Sequence, residues 1–466
     1  MPSTRKINIT ELIDSRKLSG FQIGLFILCG VCLMLDGFDV QAMGYAGPAI
    51  KPEWHISDPA FGRLLSAALK GVLVGSIFLS MLADKIGRRP ILIGSCLFFS
   101  LTTIATARAA NLDQLLIIRF IAGIGLGAIM PNSMALVSEY TPRRLRVVTM
   151  MIVSNGFTLG AALGGFLASW MIPHFGWRSI FYFGGALPLI GGVVMIFMLP
   201  ESLQFLVLKG RRPDQIMAWL KRIDPQAVTA SESPVEFVGA EQSKPGFSFW
   251  NLFREGRATG TLLIWLAYFM NLLNLYFLQG WLPTIAKTAG FSTSTAVLIG
   301  TMNQVGGFVG ALVLGWFVRR SGFAPVLATC FAVASVSIML IGYPGLPAAL
   351  LFAMVFVSGF GVTGGQAGVN ALTGTYYPTD LRSTGLGAGL GVGRIGSIVG
   401  PELAGVLLGR HWSNQQLFLA AAVPALTAAG VMIAMRRVLQ PSDQIDAGPT
   451  VGRAPSPARD ALVPPT

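Results

Sequence analysis

Two carboxylates, Asp36 and Asp39, stand inside an apolar run that extends from about Phe21 to Ile50. Three residues apart in a helix, they lie on one face. An ionised Asp near the centre of a membrane helix costs about 2.5–3.5 kcal/mol on the insertion scale, so a pair persists where partners or function require it. The pair is a candidate proton or ion site; at a membrane edge it would instead meet water or a basic helix. Arg119 and Arg394 interrupt other apolar runs, and Arg394 offers a bidentate fork to a carboxylate. Gln366 and Asn370, four apart, share a face, while Asn271, Asn274, Asn303 and Gln304 add amides from two further runs, as ligands or as glue between helices. Two charges stay open in role. Lys70 pairs with Asp36 or Asp39 or binds an anion, and Glu402, eight residues after Arg394, lies near the same face and is a candidate partner for it. Phe38, Tyr45, Tyr276 and Trp281 could stack on a ring, or serve as ordinary membrane-core aromatics.

The elements that position these groups must be membrane helices. Hydrophobic residues make up 53% of the 466 and charged residues only 12%, where soluble domains carry about a quarter. Spanning runs recur at 21–50, 60–82, 90–110, 112–138, 146–171, 177–199, 259–284, 294–318, 324–343, 347–374, 383–409 and 415–436. The expectation is an all-α polytopic protein of twelve transmembrane helices in two six-helix bundles, 21–199 and 259–437. A cytoplasmic N-terminal segment 1–20 precedes them, a cytoplasmic linker 200–258 joins them, and a disordered Pro-rich tail 438–466 follows. Nothing at the N-terminus reads as a cleavable signal. With both termini inside, 25 of the 34 Lys and Arg fall on the inner side, 6 outside and 3 within helices. That asymmetry predicts cytoplasmic termini and explains the +13 net charge without nucleic acid. The four cysteines all lie in apolar runs and read as small hydrophobes, and no metal site is expected.

An internal repeat supports two parallel halves. A shift of 236 maps Leu145-Arg146 onto Leu381-Arg382, Gly123 and Gly125 onto Gly359 and Gly361, and Gly160 and Gly164 onto Gly396 and Gly400. Sequence order is preserved, so the halves are related by an axis along the membrane normal, with a substrate path between them.

Ser80-Met-Leu-Ala-Asp-Lys-Ile-Gly-Arg-Arg89, Arg119-Phe-Ile-Ala-Gly-Ile-Gly-Leu-Gly127 and Pro200-Glu-Ser202 resemble signatures of the major facilitator superfamily. Asp36-Gly-Phe-Asp39 with Gln41-Ala-Met-Gly44, Gln279-Gly-Trp-Leu-Pro-Thr284, Gly364-Gly-Gln-Ala-Gly368 and Gly393-Arg-Ile-Gly396 narrow the resemblance to its aromatic acid:proton symporters. That likeness implies proton-coupled uptake of an aromatic carboxylate by alternating access across the cytoplasmic membrane. Asp36, Asp39 and Arg119 would handle protons. Arg394, Gln366, Asn370, Asn274, Asn303 and Gln304 would bind substrate. Asp84, Gly87, Arg88 and Arg89 would gate, with Asp84 accepting hydrogen bonds at a neighbouring helix end. Ser80 replaces the usual opening Gly of that gating motif, and the copy in the second half has Arg319 where Asp would stand. The expected molecule is a monomer in a lipid bilayer, with protons as coupling ion, no cofactor and no catalytic residue. The alternatives are a carrier of another organic anion (a dicarboxylate, a hydroaromatic or a sugar acid) and a receptor for aromatic acids that binds without flux. No phosphate-binding Gly-rich loop or catalytic constellation suggests an ATP-driven pump or an enzyme.

Overall fold

A computed structural model describes residues 5–209, 213–223, 235–238, 249–378 and 381–439. Among these residues twelve helices are long and apolar enough to cross a membrane. The first six are Gly20–Glu53, Asp58–Ile86, Arg88–Thr106, Leu112–Tyr140, Arg143–Phe175 and Arg178–Met198. The second six are Ala258–Thr288, Thr293–Ser321, Phe323–Ile341, Ala348–Tyr376, Arg382–Gly409 and Asn414–Leu439. The first span begins on a capping box in which Ser19 and Gln22 satisfy each other's backbone N–H groups. The fourth is two helical pieces meeting at Ala128, with Pro131 in the first turn of the second piece, where a missing N–H is tolerated. Ile27, Ile77, Phe78, Ile190, Phe197 and Ile433 point outward, forming the apolar belt that lipid would cover.

The sequence repeat reappears as packing. In membranes, where apolar side chains gain little by leaving lipid, close backbone approach holds helices together and small residues permit it. A Cβ at Gly160 would lie 1.8 Å from the Met34 carbonyl oxygen, and one at its counterpart Gly396 2.3 Å from that of Phe269. The fifth span thus packs on the first as the eleventh packs on the seventh. A Cβ at Gly123 would lie 2.0 Å from the Ala68 carbonyl oxygen and one at Gly359 1.9 Å from that of Asn303, so the fourth span packs on the second and the tenth on the eighth in the same way.

The halves meet toward the end remote from the termini. A Cβ at Gly62 of the second span would lie 2.7 Å from the Pro401 carbonyl, and one at Gly405 of the eleventh 2.6 Å from that of Asp58. Gly165 of the fifth span closes on Thr301 of the eighth. The Trp281 indole donates to the Pro401 carbonyl at 3.0 Å and packs edge-on against Phe61. These bonds seal that end of the path.

The segments outside the bundles carry more structure than a polar linker suggests. Ile9–Ser15 is helical, and Arg5–Asn8 forms a parallel pair with Val235–Val238, the two strands of the chain among the described residues. Leu203–Leu208 and Pro213–Ile223 are helices; the latter buries Ile216, Leu220 and Ile223 beneath the first half and stacks Trp219 on Phe21. The expected disordered tail lies, from residue 440 onward, outside the described residues.

Candidate functional site

The two carboxylates of the first span occupy different environments. Asp39 is wholly buried, and Arg119 of the fourth span approaches both its oxygens, Nη1 to Oδ1 at 3.2 Å and to Oδ2 at 3.1 Å. The Arg119 Nη2 donates to the Asp39 backbone carbonyl at 3.2 Å, and the Thr103 hydroxyl of the third span donates to Oδ1 at 2.8 Å. The guanidinium also lies over the Phe181 ring, 5.7 Å from its centroid. One guanidinium nitrogen shared between both carboxylate oxygens and the other placed on the backbone carbonyl partly offset the desolvation of a buried ion pair, with Arg119 Nε left without a partner. Asp36 is buried too, yet it forms no hydrogen bond or ion pair among the described residues; its opposite charge is Arg394 of the eleventh span, in the other half. Arg394 in turn donates to the Tyr276 hydroxyl at 3.4 Å.

Lys70 and Glu402 join each other instead of the partners the sequence suggested. The Lys70 Nζ lies 2.5 Å from Glu402 Oε1, which also receives the Ser66 hydroxyl at 2.5 Å. Lys70 therefore does not pair with either first-span carboxylate, and Glu402 leaves Arg394 free. The reason is the close approach of the second and eleventh spans, which a sequence does not reveal. Lys70 and Glu402 thus form an ion pair that crosses between the halves, whereas Asp36 feels the charge of Arg394 across the same seam without pairing with it.

The amides separate into two groups. Asn271 donates to the Val362 carbonyl at 3.0 Å and to Gln366 Oε1 at 2.8 Å; Gln366 donates to Asn370 Oδ1 at 3.1 Å, which also receives the Tyr268 hydroxyl at 2.8 Å. This chain ties the seventh span to the tenth. Asn303 donates to Ser358 at 3.2 Å and Gln304 to Gln41 Oε1 at 3.3 Å, but Asn303 Oδ1, Gln304 Oε1 and both polar atoms of Asn274 are buried without partners. Such atoms cost free energy and mark a place for a ligand or ordered water.

Between the halves lies a cavity of about 20 Å³, little more than one water in this conformation. Arg119, Gln41, Tyr276 and Gln279 supply its polar lining, and Val40, Met43, Leu64, Leu65, Leu69 and Val72 its apolar walls. Of the four aromatics considered for ring stacking, only Tyr276 lines it. Phe38 packs on Gly164, Gly184 and Phe183, the Tyr45 hydroxyl donates to the Ala161 carbonyl at 2.9 Å, and Trp281 belongs to the sealed end.

At the terminal side the motif expected to gate is arranged differently from the expectation. Gly87 ends the second span at φ 106°, a conformation glycine adopts without strain. Glu201 Oε1, not Asp84, accepts the N–H groups of Arg88 at 2.9 Å and Arg89 at 3.2 Å at the start of the third span. Asp84 is exposed and has no partner among the described residues. Glu201 wins the place because the chain leaving the sixth span brings it to the helix start, where an anion is favoured. Arg88 pairs with Glu139, whose other oxygen receives the Ser202 hydroxyl at 2.6 Å, and Arg89 donates to the Ile196 carbonyl at 2.5 Å. The Pro200-Glu-Ser202 motif was the signal that pointed to Glu201 and Ser202; Glu139 carried none.

The family model described as Major Facilitator Superfamily matches residues 29–257 and 264–464. The 4-hydroxybenzoate transporter PcaK of Acinetobacter baylyi is 38% identical over 426 residues, covering 91% of this chain and 93% of that one. A gallate transporter of Pseudomonas putida is 36% identical over 433 residues, covering 93% and 96%. Among solved structures, the xylose transporter XylE of E. coli matches with a TM-score of 0.69 at 16% identity, covering 89% of this chain and 98% of that one, a likeness of fold alone. The protein is a multi-pass membrane carrier rather than an enzyme, and it belongs to the Major Facilitator Superfamily, among its aromatic acid permeases.

Proposed function

We propose that the protein takes up an aromatic carboxylate such as 4-hydroxybenzoate together with protons, by alternating access across the cytoplasmic membrane, with both termini in the cytoplasm. The observation that carries this reading is Asp36, buried and without a hydrogen bond, set against Arg394 of the opposite half. While Asp36 is ionised it competes for the guanidinium. Protonation removes that competitor, and the substrate carboxylate takes the fork, so proton and anion bind together. Release of both lets Asp36 re-engage Arg394 and draws the halves together for return. Asp39 serves the same cycle as the fixed partner of Arg119, holding the first, third and fourth spans in register. The names of the relatives support the substrate class, and the Lys and Arg asymmetry supports the orientation.

Purified protein in liposomes, given radiolabelled 4-hydroxybenzoate with and without an inward proton gradient, tests the reading. Accumulation that a protonophore collapses is expected. Tight binding without flux would favour a receptor, and the absence of both would turn the search to other organic anions.

A further inference from the structure

The cavity between the halves is lined by Gln41 and Gln279, and behind Gln41 stands Gln304, with one acceptor left over. Gln41 Nε2 donates to the Gln279 backbone carbonyl at 2.6 Å. A carbonyl only accepts, so the amide of Gln41 is fixed with its NH₂ group there and its Oε1 turned away. That Oε1 meets Gln304 at 3.3 Å, and an acceptor can be met only by Nε2. The orientation of Gln304 is therefore fixed as well, and its Oε1 is left buried with no donor, in a residue 1% exposed. Gly44 keeps the relay possible, since a Cβ there would lie 2.7 Å from the Gln279 carbonyl oxygen and 3.3 Å from Gln41 Nε2.

Tyr276, which receives Arg394, and Gln279, which receives Gln41, stand on one helix three residues apart, a rise of about 4.5 Å. Both line the cavity, whose apolar walls are aliphatic. The cavity admits a ring only when the halves part, and the 3.3 Å bond from Gln304 to Gln41 is a long contact across that seam. Resting on the aromatic-carboxylate reading above, we propose that Gln304, oriented by Gln41, is a specificity-determining residue that accepts the O–H of a ring hydroxyl while Arg394 holds the carboxylate. The substrates are then hydroxylated aromatic acids. A free acceptor rewards a donor only: a methyl or methoxy group offers none, and a second carboxylate presents lone pairs to a lone pair.

The test is uptake of 4-hydroxybenzoate, 4-methylbenzoate and 4-methoxybenzoate by proteoliposomes of the wild type and of Gln304→Leu. The wild type should favour the hydroxy acid over the near-isosteric methyl acid by about 10⁴-fold in kcat/KM, as sites built around a substrate hydroxyl do. Gln304→Leu should keep or gain 4-methylbenzoate uptake, which also proves it folded, while the ratio falls toward one. Gln41→Leu, which frees Gln304 to turn, should lower the ratio less. A wild type that carries all three equally overturns the proposal, with water as the occupant of the acceptor, and leaves the aromatic-acid reading standing. An unchanged ratio in Gln304→Leu overturns it equally. A wild type that carries none of the three overturns both.

Discussion

The centres of the two halves treat polar groups in opposite ways. In the first half Asp39, Arg119 and Thr103 form a buried charged cluster in which both carboxylate oxygens are occupied. In the second half the neutral amides of Asn274, Asn303 and Gln304 retain buried atoms with no partner. A buried ion pair penalises the loss of either member; an unsatisfied amide penalises its own presence until something binds. On the reading proposed above, this is a division of labour, with the first half fixing charge and the second half reading a ligand. Asp36 and Arg394 stand where the two meet.

That contrast is broken most severely at Arg119. Arg119→Met strands the Asp39 carboxylate in the core and should cost about 3–5 kcal/mol, seen as a large fall in the melting temperature of the purified protein. A melting temperature equal to wild type would mean that the pair is not what holds the first half together. Next in size, Asp36→Asn should abolish accumulation against a gradient while leaving exchange of labelled for unlabelled 4-hydroxybenzoate, since the asparagine mimics the protonated acid. Accumulation that survives this change would place the coupling proton elsewhere. Arg394→Lys keeps the charge but loses the fork, and KM for uptake should rise about tenfold. The opposite sign is expected at Asn274. Asn274→Leu removes two unpartnered polar atoms, so the melt should stay level or rise by about 1 kcal/mol of stability even as uptake falls. A clear destabilisation would show that Asn274 is structural glue and would erase the distinction between halves. The smallest effect belongs to Lys70 and Glu402, both partly exposed. A double-mutant cycle of Lys70→Met and Glu402→Gln should give a coupling below about 1 kcal/mol, and less in high salt.

Much of this is legible in the sequence. The apolar runs are set by bilayer thickness, and the offset of 236 pairs Gly160 with Gly396 and Gly123 with Gly359, which pack against equivalent helices in their own halves. The association of Arg119 with the first-span carboxylates followed from the need of a buried charge for a partner. Which carboxylate it takes did not follow: the two Asp lie on nearly the same face, and only the positions of the third and fourth spans select Asp39. The partners of Lys70 and Glu402, the replacement of Asp84 by Glu201 and the withdrawal of Phe38, Tyr45 and Trp281 from the cavity were likewise hidden. Sequence alone determined the helices, their repeat and the residues costly enough to demand partners, because burial and periodicity are local to each span. Tertiary structure decided who partners whom, because hydrogen bonds of about 3 Å depend on rotations and slides of helices that no pattern within a single span encodes.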